Sequence, residues 1–366
     1  MNNVTPLRLL QTSFGGLLVA SLFTLPRSMA LRFSTAAPWC ILLSGGVACL
    51  LVWPVLSAMA RRPGSSLTDL ALAAGGRPLA IAVTLILAGF LLIGAGLALR
   101  EVSEMVVTAL YPHTPQTFAM ATLLVVISLG ASIRPAGLLW VGAVYVAPLL
   151  LSITAILLGS VGWGQFRNAL PLTGHGIVPA LAQVIPSAAY FKPLVYLGVY
   201  NRYLQTPGRL GLNTLGITMG AAALWSLVTL IYMMVFPLPG GFSVPFPLFE
   251  LSRLVQGGRF FERMDALWVV FWAFGAACQS AIGIQAAAKL FQWAFRLPEH
   301  RSIVPPLAMA TVAIALVESN QAGVVRAEFR ITGIWEVLVF FVLPAAIALL
   351  AMVRGRVVPP ENEQGG

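Results

Sequence analysis

Charged side chains are scarce in this chain. Asp, Glu, Lys and Arg make up 9% of its 366 residues, whereas soluble domains carry about 25%. A water-facing surface needs such charges, and 58% of the residues here are hydrophobic instead. The shortage excludes a soluble or secreted domain. It predicts an all-α integral membrane protein, because backbone groups in hydrocarbon must find hydrogen-bond partners within their own segment.

Histidine and cysteine, which often serve metal binding and catalysis, are also few. The three cysteines lie in apolar runs with no CxxC spacing, and the three histidines are scattered through predicted loops. The sequence contains no phosphate-binding loop and no HExxH or GxSxG motif. We therefore expect no enzyme, no cofactor, no metal site and no disulfide framework.

Basic residues outnumber acidic ones and give a net charge of +10. A nucleic-acid surface is one interpretation, but most arginines lie singly or in pairs at the ends of apolar runs, as Arg61, Arg62 and Arg354 do. That placement is typical of membrane flanks, and the side richer in Lys and Arg faces the cytoplasm. The pattern argues against nucleic acid and predicts that both chain termini lie in the cytoplasm.

Ten apolar runs approach the roughly 20 residues that a spanning helix needs. We expect them to form ten transmembrane helices in one polytopic domain over residues 1–355. The polar residues 356–366 are expected to form a disordered cytoplasmic tail. The runs are 7–30, 37–60, 79–110, 115–133, 137–160, 177–203, 211–236, 264–295, 303–318 and 333–353.

Two connections between runs carry helix signals. Ser66 and Asp69 have the spacing of a capping box, with Asp in place of Glu, and predict a short helix within residues 61–76. The stretch 237–262 is rich in proline and glycine at first and then reads as an amphipathic helix.

Runs one and six contain helix breakers at matching positions. Run one has Gly15 and Gly16 followed by Pro26, and run six has Pro186 and Pro193. In many transporters two five-helix repeats of inverted topology each begin with a broken helix, and the ligand binds at the breaks. The pattern predicts repeats over about 7–160 and 177–353. The alternative is that the glycines serve helix packing and the prolines merely kink the helices.

Candidate ligand-binding residues follow from these breaks and from polar positions at membrane depth. Lys192 is a functional candidate because an ionisable group in a membrane run is costly, although it could instead snorkel or pair structurally. Polar residues in run eight line a cavity or join helices. The candidates are Gly16, Ala20, Ser21, Ser187, Ala188, Ala189, Tyr190, Lys192, Gln279 and Ser280.

Other charged residues are expected at structural or interface positions. Arg100 and Glu104 are spaced i,i+4 and can pair on one helix face. The remaining members of this group flank run eight: Glu250, Arg253, Glu262, Arg263 and Asp265.

Several stretches resemble a known family. Residues 99–105 (Leu-Arg-Glu-Val-Ser-Glu-Met) and 110–115 (Leu-Tyr-Pro-His-Thr-Pro) are similar to the third helix and exit loop of the B subunits of endospore germinant receptors. The more specific match is 247–254 (Pro-Leu-Phe-Glu-Leu-Ser-Arg-Leu) with 260–267 (Phe-Phe-Glu-Arg-Met-Asp-Ala-Leu), which resembles the entry to helix eight. The resemblance covers nearly the whole chain in length and order.

The resemblance implies a LeuT-like 5+5 inverted repeat of the amino acid permease (amino acid–polyamine–organocation) type, with helices one and six discontinuous. It also implies a place in the spore inner membrane and two partners, an A-type membrane subunit and a C-type lipoprotein subunit. Two positions depart from the family pattern. Val19 stands where relatives often have glycine, and Lys192-Pro193 stands where they often have Gly-Glu, so the ligand or coupling ion is expected to differ.

Three hypotheses remain open at this point. The first is a germinant-sensing receptor subunit. It would hold a small molecule, preferably an amino acid, between the broken helices: backbone donors near 20–21 and 187–189 take its carboxylate, and Tyr190 packs over it. The alternative is a secondary transporter that moves an amino acid with H⁺ or Na⁺. The third is a structural subunit with a vestigial pocket.

Overall fold

The computed structural model describes residues 4–22, 24–204, 210–255, 264–317 and 333–354. The regular secondary structure of this part of the chain is helical, apart from one isolated parallel bridge between Val4 and Leu204. The helices are α1 (Pro6–Leu22), α2 (Leu25–Phe33), α3 (Ala37–Arg61), α4 (Leu67–Ala109), α5 (Gln116–Ser132), α6 (Pro135–Val144), α7 (Val146–Ser160), α8 (Ile177–Ser187), α9 (Val195–Tyr200), α10 (Leu210–Val235), α11 (Pro247–Arg253), α12 (Met264–Phe295), α13 (Val304–Val317), α14 (Ile334–Val337) and α15 (Leu343–Arg354).

Seven helical stretches are long and apolar enough to cross a membrane, which confirms an all-helical, multi-pass architecture. The predicted total of ten is not reached on this criterion, because runs one, four and six form shorter helices: α1 and α5 have 17 residues each and α8 has 11. The seven stretches are Leu25–Arg61, Leu67–Thr108, Pro135–Trp163, Leu210–Val235, Met264–Phe295, His300–Val317 and Ile334–Arg354.

Runs one and six are interrupted beside their prolines, whereas Gly15 and Gly16 lie within the continuous helix α1. In run one, α1 ends at Leu22 and α2 begins at Leu25, with Pro26 in its first turn, where the missing N–H costs nothing. In run six, α8 gives way to a 3-10 stretch, Ala188–Leu194, before α9 resumes. Pro186 lies in the last turn of α8 and Pro193 lies within the 3-10 stretch. Both disturb a regular α-helix, because proline cannot donate to the i−4 carbonyl and clashes with the preceding turn.

The predicted short helix after run two is present. Gly76 has φ +77°, a conformation that glycine adopts without strain, and it separates this helix from the long remainder of α4. Asp69 caps the short helix, because its Oδ2 accepts hydrogen bonds from Ser66 N and Ser66 Oγ, each at 2.7 Å.

The last run also departs from a regular α-helix. A π-helical turn, Leu338–Val342, separates α14 from α15. At the centre of the molecule α12 packs against α1, α4, α5 and α7, so it touches most of the helices that surround the breaks.

Candidate ligand-binding site

A cavity of about 90 Å³ lies between run one, α4, run six, α12 and the π-helical turn. Its wall is mostly apolar, with a few polar and charged groups among small residues. The lining residues are Gly16, Val19, Phe90, Leu91, Gly94, Ala95, Ala98, Glu101, Val102, Lys192, Pro193, Tyr196, Trp272, Ala276, Gln279, Ser280, Gly283 and Phe340. An apolar pocket with a few convergent polar groups is the usual form of a small-molecule site.

Gln279 anchors one wall of the cavity through a defined orientation of its amide. Its Nε2 donates to the backbone carbonyl of Thr12 at 3.0 Å and to Tyr145 Oη at 2.6 Å. A carbonyl only accepts hydrogen bonds, so the atom that faces Thr12 must be the nitrogen. Gln279 Oε1 therefore points away from Thr12, and it is buried without a hydrogen-bond partner among the described residues.

Two glycines of α1 make room for this network. A Cβ on Gly16 would lie 2.7 Å from Gln279 Oε1 and 3.0 Å from the Pro193 Cβ, and a Cβ on Gly15 would collide with the Tyr145 hydroxyl. Small residues let helices approach closely in membranes. Here the close approach places Gln279 of α12, and Tyr145 at the junction of α6 and α7, in contact with α1.

The end of α1 is held by a side chain of α12. Because α1 stops at Leu22, its last carbonyls have no partner within the helix. Trp272 Nε1 donates to one of them, Val19 O, at 3.4 Å. Both Val19 and Trp272 line the cavity, so the last turn of α1 before the break is part of the cavity wall.

A buried ion pair forms another wall. Lys192 Nζ lies 3.1 and 3.3 Å from the two carboxylate oxygens of Glu336. The Glu336 side chain is fully buried and the Lys192 side chain is 22% exposed, and only the lysine lines the cavity. The pair joins the 3-10 stretch of run six to α14 of run ten.

Four of the predicted ligand-binding residues meet at this cavity: Gly16, Lys192, Gln279 and Ser280. Ser187, Ala188, Ala189 and Tyr190 are buried in the core but do not line it. The ring of Tyr190 packs instead under the Arg32 guanidinium, 5.8 Å from the ring centroid. Ala20 and Ser21 end α1, and their side chains lie outside the described part of the chain.

The sequence interpretation missed several residues that line the cavity or support its wall. Glu336 was assigned no role, although a glutamate within an apolar run is itself a signal of function. Glu101, which lies next to Arg100 in the sequence, was not among the predicted ligand-binding residues, and it lines the cavity. Tyr196 and Phe340 carried no visible signal, because their contribution depends on which helices meet in space.

The predicted structural residues form local pairs. Arg100 Nε lies 3.7 Å from Glu104 Oε2, which confirms the i,i+4 ion pair. Arg253 Nη1 lies 3.2 Å from Glu250 Oε2 on the surface of α11, and Asp265 lies in the first turn of α12. Glu262 and Arg263 lie outside the described residues, as does the predicted tail over 356–366.

A polar cluster, here called the end cluster, ties the end of run six to the start of α4 and to Val4. Arg202 Nη2 lies 3.2 Å from Asp69 Oδ2. Asn201 Nδ2 donates to the Ser65 carbonyl at 2.6 Å. Val4 N donates to the Tyr203 carbonyl at 3.0 Å. The residue that caps the short helix of α4 thus also holds the end of run six.

Comparisons with known proteins agree with this architecture. A family model described as spore germination protein matches residues 5–323. The chain is 21% identical over 261 residues to spore germination protein YndE of Bacillus subtilis (strain 168), which covers 70% of this chain and 71% of that protein. Among solved structures, it is similar to Mhp1, a nucleobase-cation-symport-1 family transporter in a closed conformation with bromovinylhydantoin bound. The TM-score is 0.65 at 12% identity, with 96% of this chain and 90% of that chain covered; at that identity the likeness shows the fold alone.

Proposed function

This chain belongs to the family of spore germination proteins, and we propose on that premise that it is the germinant-sensing membrane subunit of a spore germinant receptor. It binds a small molecule, an amino acid, in the cavity between the broken runs one and six. The observation that carries the proposal is the meeting of both broken runs with Gln279 and Lys192 around one cavity.

The proposed signal is a change in how the helices are arranged. A ligand shifts a conformational equilibrium only through different affinities for the two states. The cavity wall contains the end of α1, the 3-10 stretch of run six and the ion pair to run ten, so a bound ligand acts on three segments at once. An A-type membrane subunit and a C-type lipoprotein subunit then read the change in the spore inner membrane.

The architecture proposed with this function is ten spanning helices in two inverted repeats of five, with both termini in the cytoplasm. The interruptions of runs one and six support it, because these runs begin the two proposed repeats. The fold shared with a transporter supports it as well.

The first experiment is thermal unfolding of the purified protein in detergent with a panel of amino acids, nucleosides and sugars. A ligand at a hundred times its Kd stabilises the folded state by about 2.7 kcal/mol. Ala98 lines the cavity, and Ala82 lies exposed on the same helix. We expect Ala98→Leu to abolish the ligand-dependent shift and Ala82→Leu to leave it unchanged. A panel without any stabilising compound would reject the sensor and favour a structural subunit.

The second candidate function is a secondary transporter of amino acids coupled to H⁺ or Na⁺, and the similarity to the Mhp1 transporter fold favours it. Purified protein in liposomes separates the two functions. A sensor binds radiolabelled ligand without net uptake, whereas a transporter accumulates it when a proton or sodium gradient is imposed. Uptake that Ala98→Leu abolishes and Ala82→Leu preserves would establish the transporter.

A further inference from the structure

A second, smaller cavity lies beside the end cluster. It measures about 20 Å³, and its lining residues differ from those of the cavity between the broken runs. The start of α4, the end of run six and the last turns of α12 form its wall. The polar part of the lining consists of Ser66, Thr68, Arg202, Tyr203, Lys289 and Trp293.

The wall of this second cavity is basic. Among the described residues, its lining carries positive charges on Arg202 and Lys289 and no negative charge. Asp69 accepts hydrogen bonds from Arg202 at 3.2 Å and offsets one of the two charges. Lys289 Nζ lies 5.6 Å from the centroid of the Tyr203 ring, so its ammonium group is placed against the end of run six. Two cations and one carboxylate favour an anionic ligand.

The surrounding end of the bundle is basic as well. Arg62 Nη2 donates to the Ala351 carbonyl at 2.9 Å, and Arg354 donates to the Ala74 carbonyl, so the ends of α3 and α15 meet the start of α4 here. The described charged residues at these helix ends and beyond the end of α12 are mostly basic: Arg61, Arg62, Arg202, Lys289, Arg296, Arg301 and Arg354, against Asp69 and Glu299. A surface of one sign raises the local concentration of ions of the opposite sign.

The second cavity lies at the depth of the lipid headgroups. The helix α12 has 32 residues and is therefore about 48 Å long, whereas the hydrocarbon core of a bilayer is about 30 Å thick. Centred on that core, α12 projects about 9 Å at each end. Lys289 lies six residues before the end of α12, which places it at the boundary between hydrocarbon and headgroups. Trp293 lies one turn further on, in the layer where tryptophan is enriched.

The size of the second cavity restricts what can enter it. A water molecule needs about 10–15 Å³ of such space, so a cavity of about 20 Å³ admits roughly one oxygen atom. It cannot enclose a whole metabolite. A fitting ligand inserts one charged oxygen and leaves the rest of the molecule at the membrane surface.

Independently of the proposed function, we propose that this second cavity binds the phosphate group of an anionic phospholipid. One phosphate oxygen enters between Arg202 and Lys289, and the glycerol and acyl chains stay outside in the bilayer. Basic pockets between membrane helices bind anionic headgroups in this way. Because three separate segments form the wall, the bound phosphate joins them and stabilises the contacts of run six with α4 and α12.

The experiment is thermal unfolding of the intact protein in nanodiscs of phosphatidylcholine, with or without one third phosphatidylglycerol. Both lipids carry a phosphate, but the basic wall repels the choline cation of the first. We expect phosphatidylglycerol to raise the melting temperature by several degrees, because a ligand that binds only the folded state stabilises it.

Three variants and one control locate the effect. Lys289→Gln should lose most of the rise, and Lys289→Arg should keep it. Val199→Ile adds a methyl group to the wall without changing any charge. It should also reduce the rise, and it tests the site even if Lys289→Gln does not fold. The control is Arg296→Gln, which removes an exposed positive charge beyond the end of α12 and outside the cavity, and it should keep the rise.

The outcomes separate a lipid site from other sources of stabilisation. Equal melting temperatures in the two kinds of nanodisc would overturn the proposal, and so would equal losses from Lys289→Gln and Arg296→Gln, which indicate diffuse attraction to an anionic surface. Sodium phosphate is added to phosphatidylcholine nanodiscs with sodium chloride of the same ionic strength as reference. We expect no rise. A rise that Lys289→Gln abolishes would assign the site to free phosphate and overturn the lipid as its ligand.

Discussion

Run six contributes a cation to each of two buried ion pairs, and the two pairs are built differently. In the end cluster, Arg202 meets Asp69, whose Oδ2 also accepts from Ser66 N and Ser66 Oγ. In the cavity wall, Lys192 meets Glu336, which accepts hydrogen bonds from Lys192 alone among the residues that the structure describes.

The difference separates a structural pair from a responsive one. Asp69 keeps two hydrogen bonds if Arg202 moves away, so the loss of its ion pair does not leave a buried carboxylate without a hydrogen-bond donor. Among the described residues the Glu336 carboxylate has no such reserve, and an uncompensated buried charge is strongly unfavourable. A ligand that competes for Lys192 therefore destabilises the Lys192–Glu336 ion pair strongly. The contacts of the end cluster are expected to stay intact.

The largest expected effect comes from breaking the cavity pair on one side. Lys192→Met should destabilise the protein by about 3–5 kcal/mol, because it leaves Glu336 buried without its counter-charge. Adding Glu336→Leu should restore most of that loss, since replacing both partners by apolar groups is often neutral or stabilising. Chemical unfolding in detergent measures both, and a double variant as unstable as the single one would contradict the comparison.

A smaller loss is expected at the end cluster. Asp69→Ala removes a helix cap worth about 1 kcal/mol and a charged hydrogen bond to Arg202, worth about 1.5 kcal/mol because that side chain is 18% exposed, for a total of about 2.5 kcal/mol. Ligand binding should be unchanged within twofold once the protein is folded. A tenfold change in affinity would show that the end cluster takes part in recognition and would erase the distinction drawn above.

Disturbing the close contact between run one and α12 should lower the free energy of unfolding by a similar amount. Gly16→Ala forces a methyl group to within 2.7 Å of Gln279 Oε1, and overpacking of this kind costs about 1–3 kcal/mol. Gly46→Ala is the control, because no atom lies within 4 Å of the added Cβ, and it should stabilise α3 by about 0.5–1 kcal/mol. Melting temperatures that shift in opposite directions for the two variants would support the packing argument, and shifts in the same direction would refute it.

The smallest effect is expected at an exposed ion pair. The Arg253 side chain is 59% exposed beside Glu250, and surface pairs contribute about 0–1 kcal/mol. Glu250→Gln should change the free energy of unfolding by less than about 0.5 kcal/mol. A loss of stability comparable to that of Asp69→Ala would mean that burial does not determine how much these ion pairs contribute to the free energy of unfolding.

The broken helices were predictable from sequence because proline acts locally. Pro26, Pro186 and Pro193 each remove a donor and crowd the preceding turn, and the structure interrupts the helices beside each of them. Pro54, without a second breaker nearby, lies inside the continuous helix α3. The cap at Ser66 and Asp69 is local in the same sense, since its atoms are three residues apart.

The composition of the cavity wall could not be predicted in full. Lys192 and Glu336 are 144 residues apart in the chain, so nothing in either neighbourhood indicates the other. Ser187, Ala188, Ala189 and Tyr190 were expected at the ligand because they lie at the break. The turn of the 3-10 stretch directs Lys192 and Pro193 to the cavity instead. That rotation depends on packing against α1 and α3, which a single sequence does not reveal.

The π-helical turn Leu338–Val342 makes the direction of the Glu336 side chain depend on the number of residues in the turn as well as on residue type. Such a turn accommodates one more residue than an α-helical turn would, and each residue of an α-helix advances the direction of its side chain by about 100°. Deleting one residue from this turn would leave a regular, equally apolar helix that still crosses the membrane. It would also swing the carboxylate away from Lys192 by more than a quarter turn. A one-residue deletion or insertion in this turn, which contains the lining residue Phe340, could therefore change the specificity of the cavity while every lining side chain outside the turn stays the same.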